Sequence, residues 1–286
     1  MICFILINYN AVDTTIACVE NIQSLKIKEK KIIIVDNFSP NHSGEQLVEK
    51  YMNDESIKVI LNSKNIGFAK ANNLGYRIAK EYGPKFIVIM NNDMKIKTID
   101  FEDALINSLN KYEFDVMGPD IYSVKFDYHQ NPQRENNYSI KELKRMWYEY
   151  FLKNHLKFIF WIKWYLLSKF ISFKEEKKKT LILSDNATYP LHGSFYVISE
   201  KYFKERGTFF YPKTFMYMES YILHYQMVKD KKKLIYDPTI HVDHYEDVST
   251  DKSFKDGYKK AIFTNRCMQE SCKAYIDLIE KGGNDF

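Results

Sequence analysis

Four short apolar runs, residues 2–7, 32–35, 57–61 and 86–90, each stop abruptly against a cluster of Asn, Asp, Ser or Gly. Runs this short and this continuously apolar, rich in Ile and Val, suit strands buried on both faces of a sheet. Helical patterns separate them. After Asp13, a candidate N-cap, Ile16, Val19, Ile22 and Leu25 fall on one face, and further helical stretches cover 44–51, 69–82 and 101–109, the last with Asp100 as a cap. Strand–helix alternation implies right-handed crossovers and an α/β fold with a mostly parallel central sheet flanked by helices.

The strand ends carry the chemistry. They read Asn8-Tyr9-Asn10, Asp36-Asn37-Phe38-Ser39, Asn62-Ser63-Lys64-Asn65-Ile66-Gly67 and Asn91-Asn92-Asp93. Such residues mark turns anywhere. In an open parallel sheet, however, ligands bind outside the carboxyl ends of the strands, and four polar clusters at one edge predict a site. Asp36 can accept hydrogen bonds from a base or ribose, and Asn62, Asn65, Asn72 and Asn73 offer the mixed donor and acceptor edge a nucleobase needs. Gly67 and Gly75 permit close backbone approach. Asp93 is a hard oxygen donor suited to Mg²⁺ or Mn²⁺, ions that bind through one or two carboxylates plus substrate phosphates. The residues therefore sketch a nucleotide-diphosphate site with a metal. Neither G-x-G-x-x-G nor G-x-x-x-x-G-K-[ST] occurs, which excludes the dinucleotide and Walker phosphate loops.

Composition narrows the rest. With 45% hydrophobic and 28% charged residues the chain can build a sizeable core. The four cysteines form no C-x-x-C pair and read as reduced thiols. Net charge is +5, but 37 of the 42 basic residues are lysines, which disfavours nucleic acid as a partner. The apolar start meets Asn8 too soon for a signal peptide or a span. Residues 144–179 depart from the α/β pattern. They hold all three tryptophans (147, 161, 164) and ten Lys and Arg against three Glu, a mix that suits a helical surface on anionic lipid as well as a buried helical pair with lysine tips in solvent. Residues 126–140 read as a loop and 253–281 as a helical tail, with Tyr258, Ile262, Cys267 and Tyr275 as packing positions.

Seven stretches together resemble the family 2 glycosyltransferases with a GT-A fold, especially the rhamnosyltransferase-like branch of bacterial surface-polysaccharide synthesis. They are Ile7-Asn8-Tyr9-Asn10, Ile34-Val35-Asp36-Asn37-Phe38-Ser39, Asn65-Ile66-Gly67-Phe68-Ala69-Lys70-Ala71-Asn72-Asn73-Leu74-Gly75, Met90-Asn91-Asn92-Asp93, His192-Gly193-Ser194-Phe195, Phe215-Met216-Tyr217-Met218-Glu219, and the run from His241 through His244 to Ser249. The resemblance implies one domain over 1–286: a nucleotide-binding half (1–125), a helical aromatic and basic insertion that associates with membrane (126–183), an acceptor and catalytic half (184–250) and a C-terminal helix (251–286). It implies donor contacts from Asn8, Asn10, Asp36, Asn37, Asn65, Gly67, Asn72, Asn73, Asn92, Gly193 and Ser194. It implies Mg²⁺ or Mn²⁺ on Asp93 and His244, and Glu219 as catalytic base. His192 and His241 read as structural histidines able to line the cleft.

The implied activity is inverting transfer of a sugar from a UDP- or dTDP-linked donor, rhamnose among the candidates, to a lipid-linked or oligosaccharide acceptor. The implied location is the cytoplasmic face of a bacterial plasma membrane. Two departures stand out. Asn91-Asn92-Asp93 has one carboxylate, and Ser220 follows Glu219 where the family often has Asp. They keep open an inactive membrane-attached nucleotide-sugar binding protein, and the strand–helix nucleotide half, shared with that class, keeps open a sugar nucleotidyltransferase. Oligomeric state is unread.

Overall fold

The computed structural model describes residues 1–156, 188–245 and 257–282. Four strands and three intervening helices open the chain: β1 (Ile2–Asn8), α1 (Val12–Ser24), β2 (Lys30–Asp36), α2 (Ser43–Tyr51), β3 (Ile57–Leu61), α3 (Phe68–Glu81) and β4 (Phe86–Asn91). After them come β5 (Met94–Ile96), α4 (Phe101–Tyr112), β6 (Val116–Ser123), β7 (Tyr128–His129) and α5 (Ile140–His155). The last described elements are β8 (Phe195–Ser199), α6 (Glu200–Glu205), α7 (Glu219–Lys229), β9 (Leu234–His244) and α8 (Gly257–Glu280).

Among the described residues the strands form one nine-stranded sheet in the order β3-β2-β1-β4-β8-β6-β9-β5, with β7 paired to β6. The first four strands are parallel, as crossover helices require. Beyond β4 the sheet is mixed: β8 runs antiparallel to β4 and β6, and β9 parallel to β6 but antiparallel to β5. These later strands return from distant parts of the chain, so no crossover helix dictates their direction.

Strands β1, β2 and β4 are buried on both faces, whereas the edge strand β3 leaves Lys58 and Leu61 exposed. Phe4, Leu6, Ile32 and Ile34 pack with Val19, Ile22, Phe101 and Leu105 on one side. Cys3, Ile5, Ile33 and Val35 pack with Ala69, Ala71, Tyr76 and Ala79 on the other. Gly75 lets α3 press onto β1, since a Cβ there would lie 2.5 Å from Ile5 Cγ2. A third cluster joins Leu143 of α5 to Met218, Ile222, Cys272 and Tyr275, so α5, α7 and α8 pack together.

Asp13 is not the α1 cap. Ala11 holds that position, and Thr15 Oγ1 bonds both Ala11 O and Asn8 Oδ1, which ties the helix start to the end of β1. Asp100 does occupy the α4 N-cap position, without a side-chain cap bond. Of the aromatic and basic stretch, 144–156 lie in or beside α5. The rest, including Trp161 and Trp164, lies outside the described residues. No helix among the described residues is long and apolar enough to cross a membrane.

Candidate active site

Strand register brings the polar clusters to one edge. Asn8 pairs with Asp36, Ile7 with Asn91, and Asp36 with Leu61. The antiparallel β5–β9 pair sets Met94 opposite His244, and Tyr245 N donates to Asp93 O at 2.9 Å, so Asp93 and His244, 151 positions apart, are brought together. Above this edge lies a cavity of 770 Å³. Its polar wall includes Asn10, Asn37, Asn65, Gly67, Asn92, Asp93, Gly193, Ser194 and His244, and Glu219 also faces it.

Four expected donor contacts lie outside the wall. Asp36 is 3% exposed, behind Asn37 and Pro40, which do line the cavity. Its Oδ1 accepts from Asn8 Nδ2 (2.7 Å) and Ser39 Oγ (2.5 Å), and its Oδ2 from Ser39 N (3.0 Å). Asn8 spends its other bonds on Ser43 and Thr15. Asn72 caps its own helix turn through Phe68 O. Asn73 holds three backbone groups, donating to Phe210 O and accepting from Phe209 N and Phe210 N. Asn8 and Asn73 spend both ends of their amides within the protein, as Asp36 does both carboxylate oxygens.

Asn37 and Asn65 do both jobs. Asn37 Nδ2 donates to Asn65 Oδ1 (2.9 Å), which also accepts from Gly67 N, while Asn37 Oδ1 accepts from Asn62 Nδ2 and Ile66 N. Gly67 has φ 81° and ψ 172°, a conformation open essentially to glycine alone. Asn92 donates to Thr15 Oγ1, linking the β4 end to α1.

Three buried acceptor oxygens of the wall have no hydrogen-bond partner among the described residues: Asn10 Oδ1, Asp93 Oδ1 and Glu219 Oε1. Buried polar atoms are ordinarily paired, so orphans gathered at one cavity mark where a ligand's donors or cations belong. Asp93 Oδ1 lies 3.3 Å from His244 Nε2. Gln130 Oε1 lies 2.8 Å from His244 Nδ1 and fixes the ring from its other side. An Asp–His donor set at a cavity wall suits Mn²⁺ or Mg²⁺. Among the described residues no three His, Cys, Asp or Glu converge, so phosphate oxygens would have to complete such a shell.

Glu219 stands at the start of α7, 5% exposed. Burial raises its carboxyl from 4.5 to about 8, partly offset by hydrogen bonds from its own backbone and Thr214. A carboxyl poised near neutrality in a cleft is the property a proton-accepting group needs. Ser220 donates to Gln133 Oε1 at 3.3 Å. His192 also lines the cavity, its Nδ1 2.7 Å from Ser194 Oγ, whereas His241 pairs with Asp120 away from it. Sequence reasoning missed Gln130, Gln133 and Thr15, which sit in a loop or a helix turn and belong to no motif. It also missed the aromatic and methionine wall of Phe126, Tyr138, Phe215, Tyr217, Phe263 and Met268.

Comparison with known proteins places the chain among glycosyltransferases. GlyG, a glycosyltransferase of Streptococcus pneumoniae, is 28% identical over 115 residues, 40% of this chain and 37% of GlyG. The bifunctional glycosyltransferase pgtA of Dictyostelium discoideum is 34% identical over 90 residues, 30% of this chain and 11% of pgtA. The chain thus matches well under half the length of these curated relatives. Among solved structures, Staphylococcus aureus TarS 1–349 in complex with UDP-GlcNAc has a TM-score of 0.54 at 13% identity, covering 88% of this chain and 61% of TarS. GalNAc-T7 with UDP, GalNAc and Mn²⁺ has a TM-score of 0.57 at 15% identity, covering 95% of this chain and 51% of that one. These likenesses establish the GT-A type of α/β fold. The model of glycosyl transferase family 2 matches residues 3–188, well over half of the chain, and the chain belongs to that family.

Proposed function

We propose that the protein is an inverting glycosyltransferase that moves a sugar from a UDP- or dTDP-linked donor to a hydroxyl of a glycan acceptor. The observation that carries this reading is the single cavity lined by both the Asp93–His244 pair and the buried Glu219. Asn10, Asn37 and Asn65 present amides to the base and ribose. Asp93 and His244 hold the end of the donor that carries its diphosphate. A bound Mn²⁺ or Mg²⁺ supplies charge neutralisation for the departing diphosphate.

Glu219 takes the proton from the acceptor hydroxyl. The freed oxygen pair forms a bond to the anomeric carbon as the bond from that carbon to the β-phosphate oxygen breaks. The nucleoside diphosphate leaves with that electron pair, and configuration inverts. Rhamnose as the transferred sugar, a lipid-linked acceptor and work at the inner face of a bacterial plasma membrane complete the proposal. The membrane contact is supported by one stripe of α5, where Lys141, Lys144 and Arg145 lead into exposed Tyr148, Leu152 and Leu156. The UDP-bound neighbours support the donor class.

The test is release of nucleoside diphosphate from a panel of UDP- and dTDP-sugars with Mn²⁺ and glycan acceptors. Turnover that disappears in Glu219→Gln supports the reading. Equal turnover in that variant removes Glu219 as base, and no turnover with any donor removes the activity.

A further inference from the structure

Glu219 is delivered to the cavity by an unusual piece of backbone. The two residues before it, Tyr217 and Met218, both have left-handed conformations, φ 72° and 68°. Neither is Gly, Asn or Asp, so each is strained, and two in succession persist only where the surroundings over-determine them. Residues 215–218 are held from two sides. On the donor side Phe68 N donates to Phe215 O at 2.7 Å, with Gly67 pressed against the same carbonyl. On the other side is α8: Ser271 Oγ donates to Met216 O at 2.9 Å, and Thr264 Oγ1 lies 3.2 Å from Tyr217 OH. Thr264 and Ser271 are seven residues apart and share one helix face. Ser271 is fully buried, and Phe263, one residue before Thr264, sets its ring edge-on to Phe215 at 6.2 Å.

We propose that α8 is the brace that fixes Glu219 for proton transfer, with Ser271 and Thr264 as positioning residues acting through the strained 217–218 segment. This rests on Glu219 being the base. Both residues fall outside 3–188, the part matched by the family. The brace explains how a single acid can serve where Ser220 stands beside it: its direction is set from outside the motif. Because Phe215 is bonded to the α3 start and Met216 to α8, the same segment connects the donor turn at Asn65–Gly67 to the base.

The experiment compares Ser271→Ala and Thr264→Val with Lys273→Ala, a change on the exposed side of α8. A misplacement on the ångström scale can lower turnover by about 10²-fold, so kcat of the two brace variants should fall by about ten- to a hundredfold. Their Kd for UDP with Mn²⁺ should stay that of wild type, and the rising limb of the kcat–pH profile should move to lower pH as water reaches Glu219. Lys273→Ala should match wild type throughout. If Glu219→Gln is inactive but both brace variants keep wild-type kcat and pH limb, the brace is overturned while the base assignment stands.

If Glu219→Gln is fully active, the base assignment fails. The brace is then read from stability alone, as the melting-temperature gap that opens with pH between wild type and Glu219→Gln. A gap that narrows in the Ser271→Ala or Thr264→Val background supports α8 as the element that keeps Glu219 dry. An unchanged gap in both overturns it.

Discussion

His244 Nε2 and Asp93 Oδ1 stand 3.3 Å apart at the cavity wall, each more than nine-tenths buried, with Gln130 fixing the imidazole from behind. A side chain that orients a metal-binding histidine typically changes metal affinity by about 10–100-fold when removed. Gln130→Ala should therefore weaken Mn²⁺-dependent binding of UDP by that factor, and should also lower the ligand-free melting temperature because the buried amide pairs with buried His244. Calorimetric titration of UDP with and without Mn²⁺ checks it.

Glu219 yields a prediction with a definite sign. Its carboxyl is raised from 4.5 to about 8 by burial, so the folded state favours the protonated form. The associated stability is fully present below pH 4.5 and is lost as pH rises towards and through about 8. Glu219→Gln, permanently neutral, should match wild type near pH 4.5 and melt progressively higher than wild type up to about pH 8. The same variant should lose about 10²–10⁴-fold in kcat with donor affinity intact. Melting curves and initial rates across pH 4.5–9 test both halves.

Gly67→Ala should damage the donor turn. The residue sits at φ 81° and ψ 172°, and a Cβ would lie 2.5 Å from Phe215 O. The backbone conformation alone costs about 1–3 kcal/mol for a non-glycine residue. The expected result is a lower urea midpoint together with weaker UDP binding, since Asn65 Oδ1 accepts from Gly67 N.

Asn73 separates shape from recognition. Removing its amide strands Phe209 N, Phe210 N and Phe210 O, and one buried unsatisfied group costs about 1–3 kcal/mol. Asn73→Ala should lower stability by at least that amount. In protein that remains folded, UDP affinity should be unchanged, because the side chain does not reach the cavity. A loss of affinity without a loss of stability would return Asn73 to the donor contacts.

Strands β1, β2 and β4 were legible because Ile- and Val-rich runs buried on both faces leave few alternatives, and the edge strand β3, with Lys58 and Leu61 exposed, still runs over the very residues of its apolar stretch. The polar edge was legible for the same reason: parallel strands must place their carboxyl ends together. The mixed half was not, since β8 and β9 pair across long sequence distances that local periodicity does not encode. Asp36 and Asn73 look in sequence like ligand contacts because the same amide and carboxylate chemistry that reads a base also ties loops. Only the partner atoms separate the two uses. Gln130 carried no signal at all, as its role arises from where β6 and β9 bring His244.

The most direct test of a metal-assisted diphosphate site is the melting temperature of wild type and Asp93→Asn with UDP, with Mn²⁺, and with both. Ligand at about a hundred times its Kd stabilises a folded protein by about 2.7 kcal/mol. A clear rise is expected for wild type only when UDP and Mn²⁺ are present together, and little or none for Asp93→Asn. An equal rise in both proteins, or none in wild type under any condition, would contradict it.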